Sequence, residues 1–184
     1  MALGATIYKA SIDISDIDRS YYGSHLCTLA RHPSETEERL AVRLLTFCLF
    51  VGETDMRLEF GRGLSTEGEP ALWEIDDTGR VARWIEVGVP DIKQIRKSAG
   101  RSDEVIVVAY GEDRLEPWWQ QNMSDMRKVA KLSVAKVLDH EVATLAKLMS
   151  RTMQLSVTVQ DGVVWISDSV NTAQIQLHWL LRRD

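Results

Sequence analysis

Residues 69–97, EPALWEIDDTGRVARWIEVGVPDIKQIRK, decide how this chain is read. Leu72–Ile75 and Val81–Val87 are rich in β-formers and flank Asp76, Asp77, Thr78 and Gly79, a turn cluster that closes a hairpin with glycine in the left-handed position. With Asp77, Thr78 and Gly79 as the loop, Asp76 faces Arg80, Pro70 lies across from Glu86, and Glu69 and Glu86 meet at the open end. Side chains alternate along a strand, so this register puts Trp73, Ile75, Val81, Ile85 and Val87 on an apolar face. Glu74, Asp76 and Glu86 then share an acidic one. Gly88 and Pro90 end the second strand, and 91–99 reads as a short helix stopped at Gly100, with Lys93 and Lys97 on one helical face.

Two carboxylates and a lysine converging at a strand end can serve a hard divalent cation and an anionic substrate. Mg²⁺ takes oxygen ligands and keeps several waters, so one or two protein carboxylates suffice, and an ammonium nearby can steady a phosphate. By spacing alone such carboxylates are more often those of a solvated hairpin face.

Outward from the hairpin, the segments RHPSETEERL (31–40), FGRGL (60–64), EPALW (69–73), WIEVGVPDIKQIRKSA (84–99) and WWQQN (118–122) resemble the YaeQ family across nearly the whole chain. That family in turn resembles the PD-(D/E)XK nucleases, whose core runs helix, antiparallel strands, helix, strand. The resemblance implies an α/β (α+β) fold with a mixed sheet of restriction-endonuclease-like type, its nuclease-like core at about 34–138. It implies that Glu69 is the acid of a reversed Pro-acid pair, that Glu86 is the acid of the E-x-K position, and that both hold the metal. Gly88 stands where the lysine of that motif belongs; Lys97 resembles the migrated lysine of some branches, and Glu38 the additional helical acid. The activity so implied is a Mg²⁺-dependent phosphodiesterase or nuclease. The alternative is a non-catalytic module that binds nucleic acid or protein on the same fold.

At 184 residues the chain fits one domain, 1–184, and 45% hydrophobic with 27% charged residues is ordinary for a globule. A net charge of −5 argues against a broad sequence-independent nucleic-acid surface. Cys27 and Cys48 form no C-x-x-C pair, and the four histidines are scattered without zinc-ligand spacing. No segment reads as a signal peptide or membrane span, which points to the cytoplasm and away from a membrane partner.

Residues 5–14 alternate, with Tyr8, Ala10, Ile12 and Ile14 on one side, and 25–30 return as the partner strand. Ser34 followed by Glu37 reads as a capping box opening a helix over about 35–51, its buried stripe being Leu40, Leu44, Phe47, Cys48 and Val51. Residues 57–64 read as a strand entering a loop, with Arg62 free to contact an anion, and the apolar run 105–110 as a strand covered on both faces and parallel to 82–87. Pro117 opens a short helix whose Trp118 or Trp119 either stacks on a base or packs at a seam. Strand 132–138, helix 140–149, a hairpin around Asp161-Gly162 and one last strand through Ile175, Leu177 and Trp179 follow. The closing strands are expected to join the N-terminal hairpin in a second small antiparallel sheet.

Overall fold

The computed structural model describes residues 4–64 and 68–183. It opens with β1 (Thr6–Asp16) and β2 (Tyr21–Arg31), antiparallel with Ile12 across from His25, as the alternation requires. Helix α1 (Glu37–Phe50) comes next, then β3 (Leu58–Phe60), β4 (Leu72–Ile75), β5 (Val81–Val87), α2 (Ile92–Ala99) and β6 (Ser102–Ala109). Helix α3 (Glu112–Met126), β7 (Leu132–Lys136), α4 (Asp139–Ala146), β8 (Thr152–Gln160), β9 (Val163–Ser167), β10 (Thr172–Gln176) and β11 (His178–Leu181) complete the order.

Two mixed sheets result. One has the strand order β10-β9-β8-β1-β2, the other β11-β7-β6-β5-β4-β3. The first does combine both ends of the chain, but β1 and β8 run parallel, so it is not antiparallel throughout. The last strand also divides: β10 stays with β9, while β11 crosses to pair antiparallel with β7 in the other sheet. Asp161 and Gly162, at φ of 54° and 74°, make the tight turn between β8 and β9 that a twisted hairpin favours.

Helices α1 and α4 lie between the sheets. Ile12, Leu29, Val157 and Ile166 of one sheet and Leu72, Ile85, Ile106 and Val108 of the other form a single core with Leu44, Leu45, Phe47, Val142 and Leu145. This explains why α1 is buried around its circumference, with Val42, Arg43 and Thr46 as inaccessible as its apolar stripe. The outer face of the six-stranded sheet packs Trp84, Val105, Val107 and Val134 under Ile95 of α2 and Leu115, Trp119 and Met126 of α3. Strands β5, β6 and β7 are parallel and covered on both faces, as their apolar runs imply.

Three local readings are corrected. Thr36, not Ser34, caps α1: its side chain accepts from Arg39 N, whereas the Ser34 hydroxyl is bonded to His32 Nδ1 at 2.6 Å. Pro117 sits inside α3, which opens at Gly111, and both tryptophans pack: Trp119 is buried and Trp118 Nε1 donates to Pro90 O at 2.7 Å. In the β4–β5 hairpin, Asp76 N does donate to Arg80 O, but a bulge beyond Ile75 shifts the register by one. Trp73 therefore pairs with Trp84, and Leu72 with Ile85. The hairpin has no acidic outer face; both faces are core.

Candidate functional site at the open end of the hairpin

Glu86 lies near the end of β5, where alternation places it on the Trp84 side, under α2. Trp84 Nε1 donates to Glu86 Oε1 at 2.8 Å and Gln94 Nε2 donates to the same oxygen at 3.2 Å. Oε2 accepts from no protein group among the described residues. The residue is 8% exposed, and burial pushes its pKa up; the two neutral donors and the charge of Arg39 offset this only in part. Asp91, whose carboxylate accepts from Lys93 N at 2.6 Å, starts α2 so that Gln94, one turn in, faces the sheet.

Glu69 is held elsewhere. Its carboxylate accepts from Arg62 N at 3.0 Å and from Arg62 Nε at 2.8 Å, and this guanidinium keeps its pKa below the usual carboxylate range. The pairing absorbs Arg62, so that residue is no open anion contact. It links residue 62 to residue 69, a contact that no local spacing rule reveals.

Lys97 and Lys93 are exposed, and among the described residues neither makes an ion pair with an acid. The helix turns Gln94, not a lysine, toward Glu86. Glu38 is exposed in the first turn of α1, also without an ion-pair partner among the described residues. The acid that does turn inward is Glu35, 2% exposed, paired with Arg39 at 2.7 Å and with Arg43 at 3.1 Å. Glu35 precedes the Thr36 cap and lies outside the helix, so helical spacing alone does not mark it as the partner of Arg39 and Arg43.

Of the four residues expected to form the site, then, Glu69 and Glu86 sit at the ends of one hairpin with separate partners, and Lys97 and Glu38 stay in solvent. As placed, Glu69 and Glu86 offer between them one carboxylate oxygen that accepts from no protein group among the described residues, Glu86 Oε2. Among the described residues no three His, Cys, Asp or Glu side chains are grouped to hold an ion. The N-terminus of α3, at the carboxyl end of β6 where an anion would ordinarily bind, is already filled. Asp139 accepts there from Gly111 N at 2.9 Å and from Glu112 N at 3.0 Å.

A second set of acids surrounds Arg83 of β5. Its guanidinium lies 2.9 Å from Glu53, 3.5 Å from Glu74 and 2.7 Å from Glu104, and Arg19 meets Glu53 at 3.8 Å. Burial raises the pKa of Glu53 and of Glu74, with Arg83 opposing it. An arginine already occupies the centre of this group, so it is an ion network joining the β1–β2 turn to β5.

The family model described as YaeQ protein matches residues 1–177. This chain belongs to the YaeQ family. It is 44% identical to the uncharacterized protein YaeQ of Salmonella typhi and 42% identical to that of Escherichia coli K12, each over 177 residues and 96% of both chains. The crystal structure of YaeQ protein from Xanthomonas axonopodis pv. citri matches at TM-score 0.92 and 41% identity, covering 97% of this chain and 99% of that one. YaeQ protein from Pseudomonas syringae matches at TM-score 0.90 and 37% identity, with 97% of each chain covered. The two mixed sheets and four helices are thus a YaeQ fold. Among the described residues no helix is long and apolar enough to cross a membrane.

Proposed function

We propose that this YaeQ chain is a protein-binding module on a nuclease-like scaffold, without a working metal centre. The scaffold reading is supported by the element order α1-β3-β4-β5-α2-β6, which is helix, antiparallel strands, helix, parallel strand, the order of the PD-(D/E)XK core. The observation that carries the absence of turnover is the separate pairing of the two acids, Glu69 with Arg62 and Glu86 with Trp84 and Gln94. A nuclease of this type needs a lysine or equivalent cation beside the metal-bound carboxylate to help the nucleophile or the developing charge; at Glu86 that place is taken by an amide. Protein is favoured over nucleic acid because the net charge is −5, Trp119 is buried, and Trp118 is half-buried with its N–H donated to Pro90 O.

The second reading is a Mg²⁺-dependent phosphodiesterase, favoured by the unengaged Oε2 of Glu86. It requires Arg62 to release Glu69. Incubating the purified protein with single- and double-stranded DNA and RNA in Mg²⁺ or Mn²⁺ separates the two. The module reading expects no cleavage that Glu86→Ala removes; cleavage lost in that variant overturns it.

A further inference from the structure

Strands β2 and β3 are the edges of their respective sheets, and both border one cleft of about 590 Å³. The edges converge at one end. Arg43, fully buried and held by Glu35, donates Nη1 to Ala30 O of β2 at 3.1 Å and Nη2 to Gly61 O, just past β3, at 3.3 Å. From that closed apex the cleft runs toward Val51 and Gly52, with a row of aromatic rings beside it. Tyr21 and His25 are stacked at 6.2 Å, His25 meets Phe47 edge-on at 5.3 Å, and Phe47 stacks on Phe60 at 5.2 Å.

The direction of the Ala30 carbonyl fixes the rest of the edge. In an antiparallel ladder alternate residues turn both N–H and C=O away from their partner strand, and β1–β2 pairing runs without a register shift. Since Ala30 O points to Arg43 and away from β1, Tyr22, Ser24, Leu26 and Thr28 also turn their backbone groups to the open edge, where Leu26 and Thr28 line the cleft. None of these makes a further backbone hydrogen bond among the described residues. Residues 21–30, YYGSHLCTLA, contain no proline and no Asp, Glu, Lys or Arg, so two of the devices that protect edge strands, proline and charge, are missing. Leu26 is 90% exposed and Tyr22 66%.

The geometry points to this cleft as a site for an extended peptide of a partner protein, which adds a strand to β2 and lays alternate side chains over the Cys27, Phe47 and Phe60 wall. What must be matched is a row of main-chain donors and acceptors beside an apolar surface, and an extended polypeptide has that chemistry. Charge selects the same occupant. The β2 wall is neutral, and Arg57 of the opposite rim is paired with Glu59 at 3.2 Å, so the groove suits an uncharged stretch and offers no basic track for nucleic acid. A second copy of this chain is a poorer fit, because it would bring a whole sheet to an edge that β3 walls off. The far end of the cleft, at Val51, is about 18 Å along α1 from Arg39. The inference rests on the protein-binding reading and names its partner class.

The test is selection of linear nine-residue peptides from a phage-displayed library, followed by titration of the best synthetic peptide into the ¹⁵N-labelled protein. Leu26→Pro is the informative variant. It removes an N–H that faces the cleft and not β1, a position where an edge strand tolerates proline; Leu26→Ala keeps the N–H and controls for the side chain. The expected result is amide shifts centred on Tyr22, Ser24, Leu26 and Thr28, with affinity reduced at least tenfold by Leu26→Pro and within threefold of the parent for Leu26→Ala. Because Leu26→Pro could disturb the fold, its amide spectrum is compared first, and mapping on the parent stands by itself. No enriched peptide, shifts confined to another surface, or self-association through β2 in sedimentation would overturn the proposal. Metal-dependent cleavage, in contrast, would overturn the module reading and leave the peptide mapping to be judged separately.

Discussion

Trp84 and Glu86, two residues apart on β5, are bound to each other: the indole N–H donates to the carboxylate at 2.8 Å on the face covered by α2. A neutral donor satisfies the oxygen without compensating the charge, and burial is the leading cause of the raised Glu86 pKa. An acid whose folded pKa lies above its unfolded value costs stability when ionised; the cost is full above the folded pKa and fades as pH falls toward the unfolded value near 4.5. Glu86→Gln keeps the oxygen that Trp84 needs and removes the charge. It is expected to raise the urea midpoint at pH 8, with the gain shrinking toward pH 5. A gain independent of pH would show that charge burial is not its source.

Thr36→Ala is expected to cost about 1 kcal/mol, the usual worth of a helix N-cap, because Thr36 Oγ1 accepts from Arg39 N at 3.2 Å. Ser34→Ala, outside the helix, should change stability by less than about 0.5 kcal/mol. Chemical denaturation of the two variants side by side decides which residue is the cap.

Glu35 and Arg43 are a fully buried ion pair, each side chain 0% exposed. Removing one partner leaves an uncompensated buried charge, so Glu35→Ala is expected to destabilise by about 3–5 kcal/mol. The double variant Glu35→Ala/Arg43→Met should recover part of this loss. Denaturation of both single variants and the double gives the coupling directly, and additive effects would contradict the pairing.

Much of the fold was legible because its signals are local. Alternation marked β1 and β2, turn chemistry marked Asp76–Gly79 and Asp161-Gly162, and the run at Val105–Ala109 marked a strand covered on both faces. What escaped depended on distant partners. The β1–β8 parallel pairing leaves no trace in either strand, and the β4–β5 bulge inverted the expected faces by one residue. At the candidate site, spacing set Glu86 on an acidic hairpin face and could not tell that the residue is buried, or that α2 would present Gln94 and leave Lys97 outside. Lysine is the residue most readily kept in water, and a two-turn helix has only one face to bury.

Lys97→Ala is accordingly expected to leave the denaturation midpoint within about 0.5 kcal/mol of the parent and to alter no divalent-cation response. A loss of cation binding in this variant would restore the lysine to the site.

The central claim, that Glu69 and Glu86 do not cooperate in holding a metal, is tested most directly by calorimetric titration of Mn²⁺ into the parent and into Glu69→Ala and Glu86→Ala. The account predicts the same weak, non-saturating heats for all three proteins. A stoichiometric Mn²⁺ site in the parent that both substitutions abolish would contradict it.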